Sequence, residues 1–572
     1  MKRLRHRATS IALAGLLPGL LILGLADPSG AVSPSLTITQ QAKITATDGA
    51  KADQFGLASA LSADGSTALL GSPGKNHFTG GAYVFTRSGG VWSQQQKLAP
   101  ADPAASDQFG QAVALSSDGN TAIVAAPNKA TTTGAAYVFT RSGNVWTQQQ
   151  KLTATGGAHL DKFGASVALS SDGNTAAIGA PGKSSSAGAV YIFTRSGGVW
   201  TQQGTVVPAD PAANDQFGSA VALNSSGTLL AGAPHKASGV GAAYAFTGSG
   251  GSWTQQQKLT VSGGVAGDLF GSAVSLDGDG NIGLLGAPGE ASLAGAGYVF
   301  TRSGGVWTQQ AHLLSSNQTI ANQLGTSVAI SSDGLNALLG SPGVKRGTGA
   351  ALLFIGNGST WARQPKLPVT DGVVKDALGS SVAVSSDGTT DLVGADGVIA
   401  ATGAAYVFTV AFPPVIAHVQ PSAGKVGASV VITGSHFTGA TAVTFNGTTS
   451  VFTVDNDGQI TATVPADAIT GQITVTTPAG SDVSTNDFKV KPSIIDFSPL
   501  AGHVGDTVTI NGTGFAGVTG VAFNGTTATF AIVNSGQVTA VVPAGVPLGT
   551  GKISVTTAGG TVKSKKGFLV LG

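Results

Sequence analysis

Short runs of alternating apolar and polar residues fill most of this chain, and they recur on a fixed step. FGASVALS (163–170) alternates small and apolar residues and runs into an Asp-Gly turn of the kind that closes a tight hairpin. NTAAIGAP (174–181) follows and is stopped by Pro and Gly. GAVYIFTR (188–195) comes next, rich in the aromatic and β-branched residues that suit a pleated surface. A Ser-Gly-Gly turn then leads to the repeat's Trp strand, which reads VWTQQQKLTA (145–154) in the preceding copy. Copies begin at Asp53, Asp107, Asp161, Asp215, Asp268, Asn322 and Asp376, with steps of 54, 54, 54, 53, 54 and 54 residues. Outside the N-terminus no stretch carries a helical period. Four antiparallel strands without a helix, repeated at this length, predict propeller blades rather than solenoid coils.

The two ends of the array fit each other. The seventh copy ends on its third strand, TGAAYVFTV (402–410), and runs into Phe412-Pro413-Pro414 with no Trp strand. The missing strand stands at the other end: TQQAKITATDGA (39–50) matches TQQQKLTATGGA (147–158), with Ile38 at the Trp position. These ends predict a seven-bladed β-propeller closed by the N-terminal strand, an arrangement without a bare sheet edge. Phe-Gly at the head of the first strand, and Gly-Ala-Pro at the end of the second (179–181, 232–234, 286–288), resemble the FG-GAP repeats of the integrin α-subunit propeller. The likeness is to the bacterial exported variety, which adds a YVFTRSGGVW segment, and it covers residues 36–410. It implies a propeller face that binds protein or glycan ligands.

At Phe412 the period changes. Pro421, Gly434, Phe445, Gly447 and Pro465 recur 78 residues later as Pro499, Gly512, Phe523, Gly525 and Pro543. Each copy holds about seven short alternating runs, which predicts a small β-sandwich. PSAGKVGASVVITGSHFTG and PLAGHVGDTVTINGTGFAG, each followed by FNGT, resemble the IPT/TIG immunoglobulin-like domain. The resemblance implies spacer or interaction modules. The expected fold class is therefore all-β, with a signal peptide at 1–31, the propeller at 32–412, and Ig-like domains at 413–490 and 491–572.

The leader alters the charge picture. Lys2, Arg3, Arg5 and Arg7 precede an apolar stretch from Ile11 to Leu25, and Ser29-Gly30-Ala31 offers a small-residue cleavage site. That stretch is shorter than the roughly 20 residues that span a bilayer, so no membrane span is expected after cleavage. Removing the leader takes away those four basic residues and Asp27, which converts the formal +2 into 26 basic against 27 acidic residues. No nucleic-acid partner is expected from a chain so balanced. The absence of Cys excludes disulfides and thiol chemistry. An extracellular or cell-surface location follows from the leader.

Few residues are placed for chemistry. Integrin-type repeats hold calcium in a carboxylate-rich first hairpin, but here that loop is SSDGNT, with a single Asp (Asp118, Asp172, Asp333, Asp387). Calcium takes six to eight oxygens, so one carboxylate reads as a turn former. Asp277 and Asp279 in the fifth repeat form the one candidate metal pair, and no cofactor is expected. Lys75, Lys129, Lys183, Lys236 and Lys345, with Arg346, follow the second strand and form a candidate ligand-facing ring for an anionic glycan or acidic surface. Arg87, Arg141, Arg195 and Arg302 form a second ring on the opposite face. The near-zero net charge favours local neutralisation of both rings by neighbouring aspartates. The six Trp residues read as packing between blades rather than as a sugar-stacking track. Glutamate occurs once, as Glu290, and neither a paired-carboxylate site nor an H-E-x-x-H spacing is found. A non-enzymatic binding or adhesion protein is expected; a polysaccharide-active enzyme or its accessory subunit, and a structural cell-surface component, are the alternatives.

Overall fold

The computed structural model describes residues 36–572 apart from 317, 318, 320, 358 and 370. The expected signal segment lies outside the described residues. Two compact units are present, Thr37–Ala411 and the chain from Phe412 to Gly572. Both are built of β-strands.

In the first unit the alternation predicted from the sequence becomes four-stranded antiparallel sheets of one design. The first repeat runs Ser59–Leu61, Thr67–Ser72, Gly81–Ser88 and Val91–Leu98, paired in chain order. The second strand is buried along its whole length, which suits its run of small and branched residues. Among the described residues this unit holds seven such sheets. One of them takes a strand from the far end of the unit: Thr37–Ile44 pairs antiparallel with Ala404–Ala411, from Thr37 opposite Ala411 to Ile44 opposite Ala405.

The Phe-Gly pair does two jobs in joining one sheet to the next. Phe109 is fully buried and meets the rings of Tyr137 and Phe139 edge-on, at 5.6 and 6.1 Å, contacts each adding about 0.5–1.5 kcal/mol beyond burial. Its backbone forms a parallel bridge to Gly80 of the preceding repeat. Gly80 has φ +92°, and a Cβ there would lie 2.0 Å from the Phe109 carbonyl oxygen. Gly110 is equally confined, because a Cβ on it would lie 2.3 Å from the carbonyl oxygen of Gly81. Only glycine permits this approach of backbones.

The three consecutive glutamines of the fourth strand tie neighbouring sheets at their outer strands. Gln96 exchanges two 2.8 Å hydrogen bonds with the backbone of Trp146, donating to its carbonyl and accepting from its N–H. Gln95 accepts from the Trp146 indole at 2.8 Å, and Gln94 accepts from the Thr47 N–H at 3.0 Å.

One element differs from the expected helix-free repeat. A four-residue turn, Lys75–Phe78 in the first copy, sits between the second and third strands. It is left-handed, with φ of 49° at Asn76 and 56° at His77. Such angles cost non-glycine residues about 1–2 kcal/mol each. They are held in place by backbone bonds from the next repeat, whose Gln108 and Phe109 N–H groups donate to Phe78 and Thr79.

The second unit contains two β-sandwiches. In the first, Val415–Gln420, Ser429–Ser435, Gln459–Thr463 and Phe452–Asn456 form one sheet, and Thr448–Thr449, Ala442–Phe445, Ile473–Thr477 and Gly480–Val483 the other. Val430, Ile432, Phe437, Phe445 and Ile460 fill the space between them. Val508, Ile510, Phe515, Phe523 and Val538 do the same in the second copy. Asn446-Gly447 and Asn524-Gly525 occupy hairpin turns with positive φ at both residues, as their sequence predicts.

Candidate functional site

The loops that carry Lys75 and its counterparts meet the loops that begin each repeat, and there the sequence's ring of lysines is consumed. Asp53 accepts from the Ala50 N–H at 2.7 Å and from Lys75 Nζ at 2.8 Å, and both side chains are buried. Lys75 also donates to the backbone carbonyl of Asp48. The Asp48 carboxylate in turn accepts from Tyr83 at 2.6 Å and Lys97 at 2.7 Å. Burial works against its ionisation, but the bonds from Lys97 and Tyr83 outweigh that and bring its pKa down to about 2. Burial, and next the bond to Asp48, pushes the Tyr83 hydroxyl up.

The same five-membered set recurs as Asp102, Asp107, Lys129, Tyr137 and Lys151, and again as Asp210, Asp215, Lys236, Tyr244 and Lys258. In the third repeat Lys183 pairs with Asp161 at 3.0 Å and bonds the Gly156 carbonyl. The reading of Lys75, Lys129, Lys183 and Lys236 as a ring offered to a ligand is therefore corrected. Each ammonium is held by an Asp that stands 21 or 22 residues earlier in the same repeat.

Besides the third, three repeats depart from the set. In the fifth, Glu290 replaces the turn lysine; it accepts from Tyr298 at 2.5 Å and lies 2.9 Å from His312 Nε2, whose ring stacks on Tyr298 at 4.5 Å. In the seventh, Asp371 accepts from Tyr406 and pairs with Lys43 of the strand Thr37–Ile44. In the sixth, Val344 opens the turn where the first four repeats have lysine, and Lys345 and Arg346 stand one and two places further on, both exposed. This is a second correction, since Lys345 does not occupy the ring position. Lys345, Thr348, Lys366, Leu367, Asp376 and Tyr406 line a cavity of about 280 Å³ here.

Family models match this chain in two blocks. The FG-GAP repeat matches residues 38–85, 92–139, 146–193, 200–246 and 253–300, and the IPT/TIG domain matches 414–490 and 492–569. The chain carries five FG-GAP repeats and two IPT/TIG domains. Each FG-GAP match begins in or beside the fourth strand of one sheet and ends in the third strand of the next, and the first begins at Ile38 in the strand Thr37–Ile44. A comparison with curated proteins finds no match. Among solved structures the chain is similar to the hydrazine synthase of Kuenenia stuttgartiensis, at 13% identity and a TM-score of 0.43, covering 61% of this chain and 94% of that one.

On the other side of the FG-GAP repeats, the first hairpins bind their own carboxylates. Asp118 accepts from the Ser116 hydroxyl at 2.5 Å, the Asn120 N–H at 3.0 Å and the Asn120 amide at 3.0 Å. Of the candidate metal pair, Asp277 is buried and accepts from the N–H groups of Asn281 and Ile282 at 2.8 and 2.9 Å, while Asp279 is exposed. Burial leads in raising the Asp277 pKa. Asp277 thus serves as the acceptor that closes its turn. Among the described residues no group of three or more His, Cys, Asp or Glu is placed to hold a metal. Arg141 bonds Asn120 at 2.9 Å and lies 5.4 Å from the centroid of Trp146. Trp146, Trp200 and Trp307 are buried and Trp92, Trp253 and Trp361 half-buried, so the indoles serve packing.

The sequence reading missed Asp48, Tyr83 and Lys97 as partners. Their recurrence as Asp102, Tyr137, Lys151 and as Asp210, Tyr244, Lys258 was the available signal.

Proposed function

We propose that the repeat unit is a seven-bladed propeller closed by the strand Thr37–Ile44, and that it gives an exported, non-enzymatic protein a binding face for protein or glycan ligands. The IPT/TIG domains act as spacers or interaction modules. Closure is supported by the parallel bridge from Phe55 to Gly403, which repeats between the first and last copies the bridge that Phe109 makes to Gly80. Export rests on the basic and apolar leader of residues 1–31. Among the described residues no helix is long and apolar enough to cross a membrane.

The observation that carries the binding role is the fixing of the turn loops. Left-handed turns pinned by buried Lys–Asp pairs hold a set of loops on one side of the sheets, and loops positioned by a rigid scaffold are the usual seat of recognition. Glycan-array and pull-down experiments on the mature chain test this. A reproducible protein or glycan ligand is the expected result. Binding to neither, together with ordered self-assembly, would replace this function with a structural one.

A further inference from the structure

On the loop face proposed above as a binding surface, the first five repeats and the seventh each hold an ion pair, and the sixth has none among the described residues. There Lys366 is the counterpart of Lys97, since each lies five residues after the repeat's Trp and one before a buried Leu. Every other member of the set around Lys97 has been replaced. Leu352 stands for Tyr83, Val344 for Lys75 and Asn322 for Asp53, and by spacing Asn317 stands for Asp48. No Asp or Glu occurs in the sequence between Asp333 and Asp371, a stretch that contains Lys345, Arg346, Arg363 and Lys366.

The two lysines meet at the cavity of about 280 Å³. Among the described residues neither has a carboxylate within ion-pair distance, and the bond recorded for Lys366 Nζ is a long one, 3.4 Å to the Gly349 carbonyl. The polar groups around them are committed elsewhere. Asp376 is buried and accepts from the Val373 N–H at 2.7 Å, and Tyr406 donates to Asp371, itself paired with Lys43. Two ammonium groups against the single Asp376 carboxylate leave one positive charge. Burial and the like charge of Lys345 both hold Lys366 below the ordinary lysine range, a tension that a bound anion relieves.

We propose that this cavity takes the carboxylate of a sugar acid, a hexuronate unit of an acidic glycan, in the place where other repeats carry an Asp of their own. The cavity is smaller than a drug-sized pocket, which is about 300–1,000 Å³, and suits one sugar ring. Thr348 and the Gly349 carbonyl offer partners for hydroxyl groups, and Leu367 and Leu378 give an apolar floor. The proposal rests on the binding-face reading and names the chemistry of one site on it.

The test is calorimetric titration of the full mature chain with galacturonate and oligogalacturonate, beside galactose and a glutamate-rich peptide as controls. Uronate should bind, galactose should not, and added salt should weaken binding. Lys366→Met and Lys345→Met should each weaken it about tenfold or more, Lys366→Glu should abolish it, and Lys97→Met should leave it unchanged. Thermal melting of each variant confirms folding. Failure of uronate to bind overturns the proposal, as does binding of the acidic peptide alone. If the glycan array or pull-down finds a ligand whose binding survives Lys366→Glu, this site is wrong while the binding-face reading stands.

Discussion

Lys43 forms an ion pair with Asp371, 328 residues further along the chain, at 2.5 Å. Lys97 holds the same relation to Asp48 in the first repeat and Lys151 to Asp102 in the second. The strand at the start of the unit thus supplies the seventh sheet with the group that the first, second and fourth repeats take from their own fourth strands.

Deleting residues 32–50 should leave Ala404–Ala411 with an unpaired edge, and the protein should melt at lower temperature or aggregate. The strand matters here more than its charge. Both side chains of the Lys43–Asp371 pair are partly exposed, so Lys43→Met should cost only about 0–1 kcal/mol. Differential scanning calorimetry of the two variants separates these effects. Equal melting of the truncated and intact chains would refute closure.

The buried pair of Lys75 with Asp53 behaves differently. Asp53→Ala strands a buried ammonium and removes the acceptor of the Ala50 N–H, and should cost about 3–5 kcal/mol. Urea denaturation of the single variants and of the Asp53→Ala/Lys75→Met double variant checks it. The double variant should lose less than the sum of the singles.

Trp146→Ala should destabilise the chain by about 3–5 kcal/mol, since the ring is 3% exposed. Trp146→Phe keeps most of the burial and removes the bond to Gln95, for a loss of about 1 kcal/mol. Trp253→Ala should cost less than Trp146→Ala, because its ring is half-buried and its N–H bonds Gly250 in its own turn. Chemical denaturation of the three variants gives the order.

Asp391 is a fully buried acid with no partner on either oxygen, at a position where Ala68, Ala122, Ala176 and Ala337 stand in other repeats. Burial pushes its pKa up to about 8. The folded state therefore holds this proton more tightly than the unfolded chain. Its contribution is fully present below about pH 4, is lost as pH rises towards 8, and changes by at most about 1.4 kcal/mol per pH unit. Asp391→Ala should flatten that slope and stabilise the protein at pH 8, as read from urea midpoints across this range.

The strands, the packing role of the Trp rings and the pairing of the two ends were all legible in the 54-residue step, because each depends on local alternation or on a motif that recurs. The left-handed turns were not. Asn76, His77, Ala130 and Thr131 carry no glycine signal, and their conformation is imposed by backbone bonds from the following repeat. Neutralisation of the lysine ring by aspartates was favoured by the balanced charge, but the burial and exact partners of the pairs were not legible. Lys75 and Asp53 are 22 residues apart in sequence; the repeat places their loops on one face, but nothing local shows that the two side chains touch. The one-residue offset at Val344 hid behind the neighbouring lysine for the same reason.

Thr37 and Ala411 are register partners in antiparallel strands, so the repeat unit's two chain exits lie side by side at the same end of one strand pair. Tension applied through these exits would load the pairs one after another, from Thr37–Ala411 towards Ile44–Ala405, instead of shearing them together. Peeling of this kind yields at low force. Under stretch, this unit should open at that seam first, ahead of its other sheets.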